Sequence, residues 1–292
     1  MRYVYFPGCS LETVAKSYDV SARLTAEKLG VELTELDDWN CCGATAYFHI
    51  DEILAHTLCA RNLAMAERIG LDVVAPCSAC YKNMRETNTH LKKDPELRDH
   101  INIALKEDGL EFSGQQRVLH LVDIFADDVG LENIRKNVVN SLKGLRVAPY
   151  YGCQILRPKM GRENIENPEF LEDLISVTGA EAIDYPLKTE CCGGSLIMTK
   201  NPVALKMIKN LLKCATDKGA DLIVTTCPLC QVNLECYQKQ VNRKYGTEFS
   251  LPVLYITQVL GFALGIPKDD LLIGSELNSP AGLLTRFVRE AC

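Results

Sequence analysis

The sequence predicts an α/β protein built from two similar lobes, each with a small, mostly parallel β-sheet flanked by helices. The same five-cysteine pattern occurs twice in the 292 residues. The likeness extends beyond the cysteines, because residues 118–125 (VLHLVDIF) match residues 253–260 (VLYITQVL). In both halves short apolar runs alternate with amphipathic segments, a pattern typical of parallel sheets with helices between the strands.

Each lobe contains four short apolar runs that read as buried strands. They span residues 2–6, 31–36, 71–75 and 118–121 in the first lobe, and residues 145–149, 182–185, 222–225 and 252–255 in the second. The clearest helix is predicted for residues 202–219, where Ala204, Ile208 and Leu211 share one face. Asp51 is predicted to cap the matching helix of the first lobe.

The repeat places a domain boundary near residue 143. We expect a first lobe at residues 1–143 and a second at residues 144–292, each large enough to bury a core of its own. The second lobe includes a tail after Gly265 that has no counterpart in the first.

Ten of the fourteen cysteines belong to the repeated pattern of one cysteine, a Cys-Cys-Gly doublet and a Cys-x-x-Cys pair. The two sets are Cys9, Cys41, Cys42, Cys77 and Cys80, and Cys153, Cys191, Cys192, Cys227 and Cys230. In the first lobe each of the three groups follows a predicted strand. We therefore expect the groups to meet at the carboxyl edge of the sheet, with the Cys-x-x-Cys pair at the positive end of a helix. Gly43, Gly193 and Gly194 are expected at positive φ with their amides directed at sulfur.

Composition restricts the class of protein. A charged fraction of 24% and a hydrophobic fraction of 47% are typical of a soluble globular chain. A net charge of -6 without a basic stripe argues against nucleic acid. We expect a cytoplasmic protein without a membrane span. The beginning of the chain has no signal peptide pattern, and the apolar stretch 253–266 is shorter than the roughly 20 residues that span a bilayer.

Abundant cysteine in a reducing compartment indicates metal binding or catalysis rather than disulfides. Structural zinc takes four ligands and would leave a fifth thiol unused in each set. A ferredoxin-type cubane would need a compact cysteine run that this chain lacks. A disulfide between adjacent cysteines is strained. A cluster with more than four cysteine ligands fits the count best.

The repeated pattern resembles the twin cysteine-rich CCG domain found in one subunit of heterodisulfide reductase from methanogens and related anaerobes. The resemblance covers both lobes. It implies that each complete set holds one noncubane [4Fe-4S] cluster, giving two clusters in the chain. The motif is more specific for the cluster than for the substrate, because CCG domains also occur in glycolate and lactate oxidases, a thiol-linked fumarate reductase and membrane-anchor subunits of quinone reductases.

The resemblance implies a catalytic subunit that reduces the coenzyme M-coenzyme B heterodisulfide to two thiols in methanogenic metabolism. Opening a disulfide takes two electrons, and an iron-sulfur cluster usually passes one. Two facing clusters could therefore each take one sulfur and supply one electron. The alternative is an electron-relay subunit of another oxidoreductase, linked to quinone or a 2-hydroxy acid. A zinc-stabilised scaffold is a third hypothesis.

The chain is expected to need partner subunits. It has no GxGxxG motif opening a helix, so we expect neither flavin nor nicotinamide in this chain, and it has no ferredoxin motif. The resemblance implies two further heterodisulfide reductase subunits, a small ferredoxin-like one with cubane clusters and a flavin-containing one. A hydrogenase or formate dehydrogenase module is a further partner that it suggests.

A few residues outside the cysteine pattern are candidates for substrate contact. Arg157, Lys159 and Arg162 follow Cys153 without a counterpart after Cys9, and we predict that they hold an anionic end of the substrate. The alternative is a solvated charged face. The same two hypotheses apply to Lys82 and Arg85, which follow Cys80.

Two other groups have less specific patterns. His49 is a candidate proton donor, and the alternative is a buried, hydrogen-bonded histidine. Cys59, Cys214, Cys236 and Cys292 lie outside the repeat and are predicted to be small core residues rather than ligands.

Overall fold

The computed structural model describes residues 1–157 and 165–288, apart from the side chains of residues 45 and 46. Two four-stranded, fully parallel sheets flanked by helices confirm the predicted fold class. The first sheet has the order β2-β1-β3-β4 and the second the order β6-β5-β7-β8. The strands are β1 (Arg2–Tyr5), β2 (Glu32–Glu35), β3 (Val73–Ala75), β4 (Val118–His120), β5 (Arg146–Tyr150), β6 (Glu181–Ala182), β7 (Leu222–Thr225) and β8 (Val253–Tyr255).

All eight strands occur where the apolar runs predict them, and β6 is the one that differs most. It was expected at residues 182–185 but ends at Ala182. The Ile183 amide still donates to the Val147 carbonyl, whereas Tyr185 turns its hydroxyl to the Leu211 carbonyl at 2.9 Å. Pro186 follows and has no N–H to continue the ladder.

The helices connect successive strands and cover both faces of each sheet. In the first lobe they are α1 (Cys9–Glu12), α2 (Lys16–Lys28), α3 (Ala44–Ile50), α4 (Glu52–Ile69), α5 (Ser78–Lys93), α6 (Pro95–Leu105), α7 (Leu121–Asp123) and α8 (Leu131–Lys136). In the second lobe they are α9 (Phe170–Ser176), α10 (Leu196–Thr199), α11 (Asn201–Asp217), α12 (Pro228–Cys236), α13 (Gln238–Tyr245), α14 (Ile256–Ala263) and α15 (Ala281–Leu284). The π-helical segment Ile124–Gly130 joins α7 to α8, and short 3₁₀ turns lie at Lys106–Asp108 and Thr285–Phe287.

Two local predictions about helices are confirmed. Asp51 caps α4, where its carboxylate accepts from the Leu54 amide at 3.0 Å. The helix predicted at residues 202–219 is α11, whose buried face includes Ala204, Ile208 and Leu211. The Asp51 cap is a contact between neighbours in the chain, and the apolar face of α11 follows the helical period. The local pattern is therefore a sufficient guide to both.

The strand order creates a crevice at the carboxyl edge of each sheet. In both sheets the order reverses beside the first strand, between β1 and β3 or between β5 and β7. Open α/β sheets bind ligands at such a point. Cys9 follows β1, and Cys77 follows β3 as the residue before α5. Cys227 holds the equivalent position before α12.

The lobes share a packed interface directly behind these crevices. The rings of Tyr18 and Tyr255 stack with centroids 4.2 Å apart. The Tyr18 hydroxyl donates to the carbonyl oxygens of Pro76 at 2.9 Å and Thr226 at 3.3 Å, and Ser78 Oγ also donates to the Thr226 carbonyl at 3.1 Å. Since Pro76 and Thr226 precede the Cys-x-x-Cys pairs, these bonds fix the two carboxyl edges against each other.

Helices α2 and α14 extend that interface. Ser21 Oγ and Thr257 Oγ1 are 2.6 Å apart, and Thr25 Oγ1 donates to the Thr257 carbonyl at 2.9 Å. The apolar core of the first lobe continues without a break into Leu254 and Val259 of the second. Among the helices of the described residues, none has the length and apolar character needed to cross a membrane.

Candidate metal centre

One cavity between the lobes brings the two cysteine sets together. Its volume is about 300 Å³, and every cysteine of the repeated pattern except Cys41 lines it. Ser10, Gln154 and Arg157 add polar groups to its wall, while Leu196 and Leu229 add apolar ones. The two sets therefore open into one shared space.

Within each set the sulfur atoms lie in close pairs. In the first lobe Cys9 Sγ is 3.8 Å from Cys41 Sγ, and Cys42 Sγ is 3.4 Å from Cys80 Sγ. In the second lobe Cys192 Sγ is 3.5 Å from Cys230 Sγ, which repeats the second of these pairs. These equivalent cysteines of the two lobes thus have equivalent neighbours.

Backbone amides point at the sulfurs of the doublets. Gly193 N–H and Gly194 N–H approach Cys191 Sγ and Cys192 Sγ, each at 3.4 Å. Gly43, Gly193 and Gly194 have φ values of 76°, 89° and 40°. The predicted positive φ and amide direction are therefore confirmed at the second doublet. Such amides favour the thiolate, which is the form that binds metal.

A glycine before the first cysteine of each set makes room for the Cys-x-x-Cys pair. A Cβ at Gly8 would lie 2.7 Å from Cys80 Sγ, and one at Gly152 would lie 2.9 Å from Cys230 Sγ. Both glycines also have positive φ, at 73° and 64°. Sequence reasoning missed them, although a Gly-Cys dipeptide begins both copies of the pattern.

A repeated asparagine, also missed, ties each doublet to the helix of the Cys-x-x-Cys pair. Asn83 Nδ2 donates to the Cys42 carbonyl at 3.3 Å and lies 3.8 Å from Cys42 Sγ. Asn233 Nδ2 makes the same contacts with Cys192, at 3.2 and 3.7 Å. Both asparagines are buried and stand three residues after the pair. That common spacing is the signal that would have revealed them.

Close sulfur contacts shift the pKa values of the two thiols of each doublet in opposite directions. Hydrogen bonding to Cys42 raises the pKa of Cys41, and hydrogen bonding to Cys191 raises that of Cys192 to about 12. Hydrogen bonds from Cys41 and then Cys80 hold the pKa of Cys42 well below its usual value. Hydrogen bonds from Cys153 and then Cys192 lower the pKa of Cys191 to about 2, and the charge of Arg157 acts in the same direction. Each doublet therefore favours one metal-binding thiolate, Cys42 in the first lobe and Cys191 in the second.

This donor set fits an iron-sulfur cluster. The first lobe offers four thiols to the cavity, with Cys41 next to Cys9, and the second lobe offers five. Amide donors are aimed at sulfur, and a helix begins beside each Cys-x-x-Cys pair. Among the described residues, no three His, Cys, Asp or Glu side chains surround a point where a single metal ion would sit. A multinuclear cluster does not require that arrangement, because its cysteines bind different iron atoms.

The other predicted site residues have separate outcomes. Arg157 lines the cavity, whereas Lys159 and Arg162 lie outside the described residues. His49 is exposed near the end of α3 and does not line this cavity, so the buried-histidine alternative is wrong. Its position near the exposed end of a short helix explains the exposure. Lys82 pairs with Glu86.

The non-pattern cysteines also differ among themselves. Cys59 is buried as expected, and its thiol donates to the Cys42 carbonyl at 3.4 Å. Cys214 is half-buried against the core of the second lobe. Cys236 is exposed, so its assignment as a core residue is wrong: it faces outward at the end of α12. Cys292 lies outside the described residues.

Comparison with known proteins identifies the family. The profile of the cysteine-rich domain called CCG matches residues 3–85 and 147–235, one match in each lobe. The chain belongs to the CCG family. Both matches begin at the first strand of a lobe and extend past the Cys-x-x-Cys pair.

Full-length relatives agree with this assignment. The chain is 34% identical over 279 residues to one subunit of the ferredoxin:CoB-CoM heterodisulfide reductase of Methanosarcina mazei, covering 94% of this chain and 92% of the relative. It is 33% identical over 272 residues to the 8-methylmenaquinol:fumarate reductase membrane anchor subunit of Wolinella succinogenes, covering 92% and 94%. The resemblance to the heterodisulfide reductase subunit is thus confirmed, and both relatives are named as subunits of oxidoreductases.

A solved structure shares the fold. A hypothetical protein from Helicobacter pylori superposes with a TM-score of 0.77 at 18% identity, over 95% of this chain and 52% of that one. This CCG chain therefore spans about half the length of that protein. At this identity the likeness concerns the fold alone, and it agrees with the two-lobed α/β architecture.

Proposed function

We propose that this CCG protein is the catalytic iron-sulfur subunit of a heterodisulfide reductase, which converts the coenzyme M-coenzyme B disulfide into two thiols in methanogenic metabolism. Two noncubane [4Fe-4S] clusters would be held by the two five-cysteine sets. The proposal is supported by family membership, by the likeness to the heterodisulfide reductase subunit from Methanosarcina mazei and by the complete cysteine pattern in both lobes.

The observation that carries the proposal is the single cavity lined by cysteines of both lobes. A disulfide is reduced when its S–S bond breaks and each sulfur gains one electron and one proton. When bound, the two clusters would supply one electron each. A shared cavity allows both sulfurs of one substrate to be reached from opposite sides, which a simple relay would not require.

The chain's own residues would orient the substrate. Arg157 is exposed and lines the cavity beside the second cysteine set, where its guanidinium can pair with an anionic part of the substrate. Leu196 and Leu229 give the same wall an apolar surface, and both side chains are partly exposed. Together these residues would hold a small anionic molecule with an apolar middle.

The proposal includes partner subunits and a cytoplasmic location. Several relatives are named as subunits of heterodisulfide reductases, and one belongs to a dihydromethanophenazine-linked enzyme of Methanosarcina acetivorans, at 24% identity. We propose a small ferredoxin-like subunit with cubane clusters and a flavin-containing subunit as the electron supply, with a hydrogenase or formate dehydrogenase module behind them.

The second candidate is an electron-relay subunit of a quinone- or 2-hydroxy-acid-linked oxidoreductase. The observation in its favour is the 33% identity to the quinol-linked fumarate reductase subunit, which covers almost the same length as the likeness to the heterodisulfide reductase subunit. In that case the cavity would hold the clusters but would not admit a disulfide.

The deciding experiment uses anaerobically purified chain. Two four-iron clusters predict about eight iron atoms and about eight sulfides per polypeptide, with no stoichiometric zinc. Reduced viologen should then drive reduction of the coenzyme M-coenzyme B disulfide, with two thiols formed per disulfide consumed. Full iron loading without thiol production would favour the relay, and stoichiometric zinc without sulfide would favour the scaffold.

A further inference from the structure

A second pocket lies next to the cysteine cavity and shares one residue with it. This pocket of about 390 Å³ is lined mainly by α4 and α5 of the first lobe, together with Arg157 of the second. Arg157 also lines the cysteine cavity. We call this space the α5 pocket and define it by His56, Arg85, Lys93 and Arg157. The two spaces therefore meet at Arg157.

Positive charge dominates the α5 pocket. Arg85, Lys93 and Arg157 provide three permanent cations. Of the two carboxylates in its wall, Glu86 is paired with Lys82, while Glu52 is mostly exposed and has its Oε1 3.8 Å from His56 Nε2. The pocket thus has one more cation than carboxylate, on a protein with a net charge of -6. This excess indicates a ligand with negative charge.

The wall also offers fixed hydrogen-bonding groups. Arg85 Nη1 donates to the Val118 carbonyl at 2.9 Å, which anchors one edge of the guanidinium at the sheet. The buried His56 is held by a 2.9 Å hydrogen bond between its Nδ1 and Thr87 Oγ1. Arg85 and Lys93 both lie on α5, two turns apart, and therefore point to the same side. Cations that line the same pocket suit an oxyanion.

The second lobe differs at the surface that matches this pocket. Glu235 stands at the position that corresponds to Arg85, and it accepts hydrogen bonds from the amides of Val253 and Asn278 at 3.0 and 2.6 Å. The tail segment around Asn278 thus covers the surface that stays open beside α5. A substrate with two different ends would be bound in one direction, because an acid replaces the arginine in the second lobe.

We propose that the α5 pocket binds a tetrahedral oxyanion, a phosphate or a sulfonate, at one end of the disulfide substrate while the sulfur-sulfur bond lies in the cysteine cavity. This inference rests on the proposed function for the identity of the substrate. The charge of the pocket, its open mouth and its shared residue are independent of that function.

Direct binding tests the pocket without turnover. Isothermal titration of the anaerobically purified, iron-loaded chain with inorganic phosphate, and separately with methanesulfonate, should show binding of at least one. Lys93→Met and Arg157→Met should each raise the dissociation constant roughly tenfold, as expected for the loss of a charge-assisted contact. Comparison of the two anions tells which oxyanion the pocket prefers.

The matched control is Arg243→Met. Arg243 lies on α13 of the second lobe, away from the residues that line the α5 pocket, and it is exposed. Its substitution removes the same charge from the protein without touching the pocket, so affinity should stay within about twofold of wild type. Equal weakening by Lys93→Met and Arg243→Met would overturn the proposal, because only overall charge would then matter. Unchanged affinity in both pocket variants would overturn it as well.

Steady-state kinetics provide the second arm. Lys93→Met should raise KM for the anionic heterodisulfide roughly tenfold with little change in kcat, and should leave reduction of an uncharged disulfide of similar length unaffected. An equal rise in KM for both disulfides would contradict the oxyanion site. If wild type reduces neither disulfide, the proposed function fails and the phosphate titration alone decides the pocket.

Discussion

The two lobes agree closely around sulfur and differ a short distance away. Gly8 and Gly152 both leave room for a sulfur of the Cys-x-x-Cys pair. Asn83 and Asn233 both donate to the carbonyl of the second doublet cysteine and lie near its sulfur. Two residues after the asparagine, the first lobe has the cation Arg85, whereas the second lobe has the carboxyl group of Glu235. A duplicated site has thus kept its thiol-holding contacts, while the surroundings that meet ligand or solvent have diverged.

Exposure of the thiols differs as well. Cys9 and Cys41 are exposed, whereas their counterparts Cys153 and Cys191 are half-buried. Hydrogen bonding and solvent exposure both influence the reduction potential of an iron-sulfur cluster. The two centres therefore share ligation and need not share redox properties.

Removal of one doublet thiol should have the largest effect. Because Cys42 and Cys192 contact sulfurs of their own lobe, Cys42→Ser and Cys192→Ser should each lose about half of the iron and leave the other lobe loaded. Iron and sulfide analysis of the anaerobic protein measures this. Cys214→Ser is the control and should retain full iron, and full iron in both doublet variants would contradict the ligand assignment.

Adding a methyl group before the first cysteine should also disturb iron binding. Gly8→Ala places a Cβ within 2.7 Å of Cys80 Sγ and should lower the iron content of the first lobe. Gly70→Ala is matched to it, since Gly70 has a φ of 75° and no atom within 4 Å of an added Cβ. In both variants alanine at a positive φ should lower the free energy of unfolding by about 1 kcal/mol, which the melting temperature would show. If both kept full iron, close approach to sulfur would not be the reason for Gly8.

Loss of the asparagine amide should shift a potential without loss of iron. Asn83→Leu removes a donor from Cys42, and Asn233→Leu removes one from Cys192. A hydrogen bond worth about 0.5–1.5 kcal/mol corresponds to roughly 20–60 mV for one electron, and its loss should lower the potential. Redox titration followed by electron paramagnetic resonance should show each variant shifting one centre. Shifts in both centres would indicate a general packing effect.

A smaller effect concerns the pH dependence of stability, to which Glu235, the second-lobe counterpart of Arg85, should contribute. Burial raises the pKa of Glu235 to about 7, from an ordinary value of 4.5. The folded protein therefore favours the protonated form of Glu235. The stability that this protonated carboxyl group contributes is complete at pH below 4.5 and is lost as the pH rises through about 7. The melting temperature of wild type should fall between about pH 5.5 and 8 by roughly a few °C more than that of Glu235→Gln. Glu248→Gln, at an exposed position, should behave like wild type, and identical slopes in all three proteins would contradict the assignment.

Much of the fold could be predicted because its signals are local. The eight apolar runs became strands, Asp51 capped α4, and the Cys-x-x-Cys pairs opened α5 and α12. The buried alternative for His49 was wrong, since its exposure depends on how α3 meets the rest of the lobe. Asn83 and Asn233 were missed because an isolated asparagine is usual in a helix, and only its repetition is informative.

The sequence alone determined the cysteine sets, the duplication and the order of strands and helices, because periodicity and spacing act over a few residues. The tertiary structure decided that both sets face one cavity, that Arg157 joins it to the α5 pocket, and that the tail closes the matching surface at Glu235. These features depend on contacts such as the stacking of Tyr18 on Tyr255, between residues more than 200 positions apart. No local pattern encodes which edges of two sheets will meet, since that is settled by the packing of the interface between them.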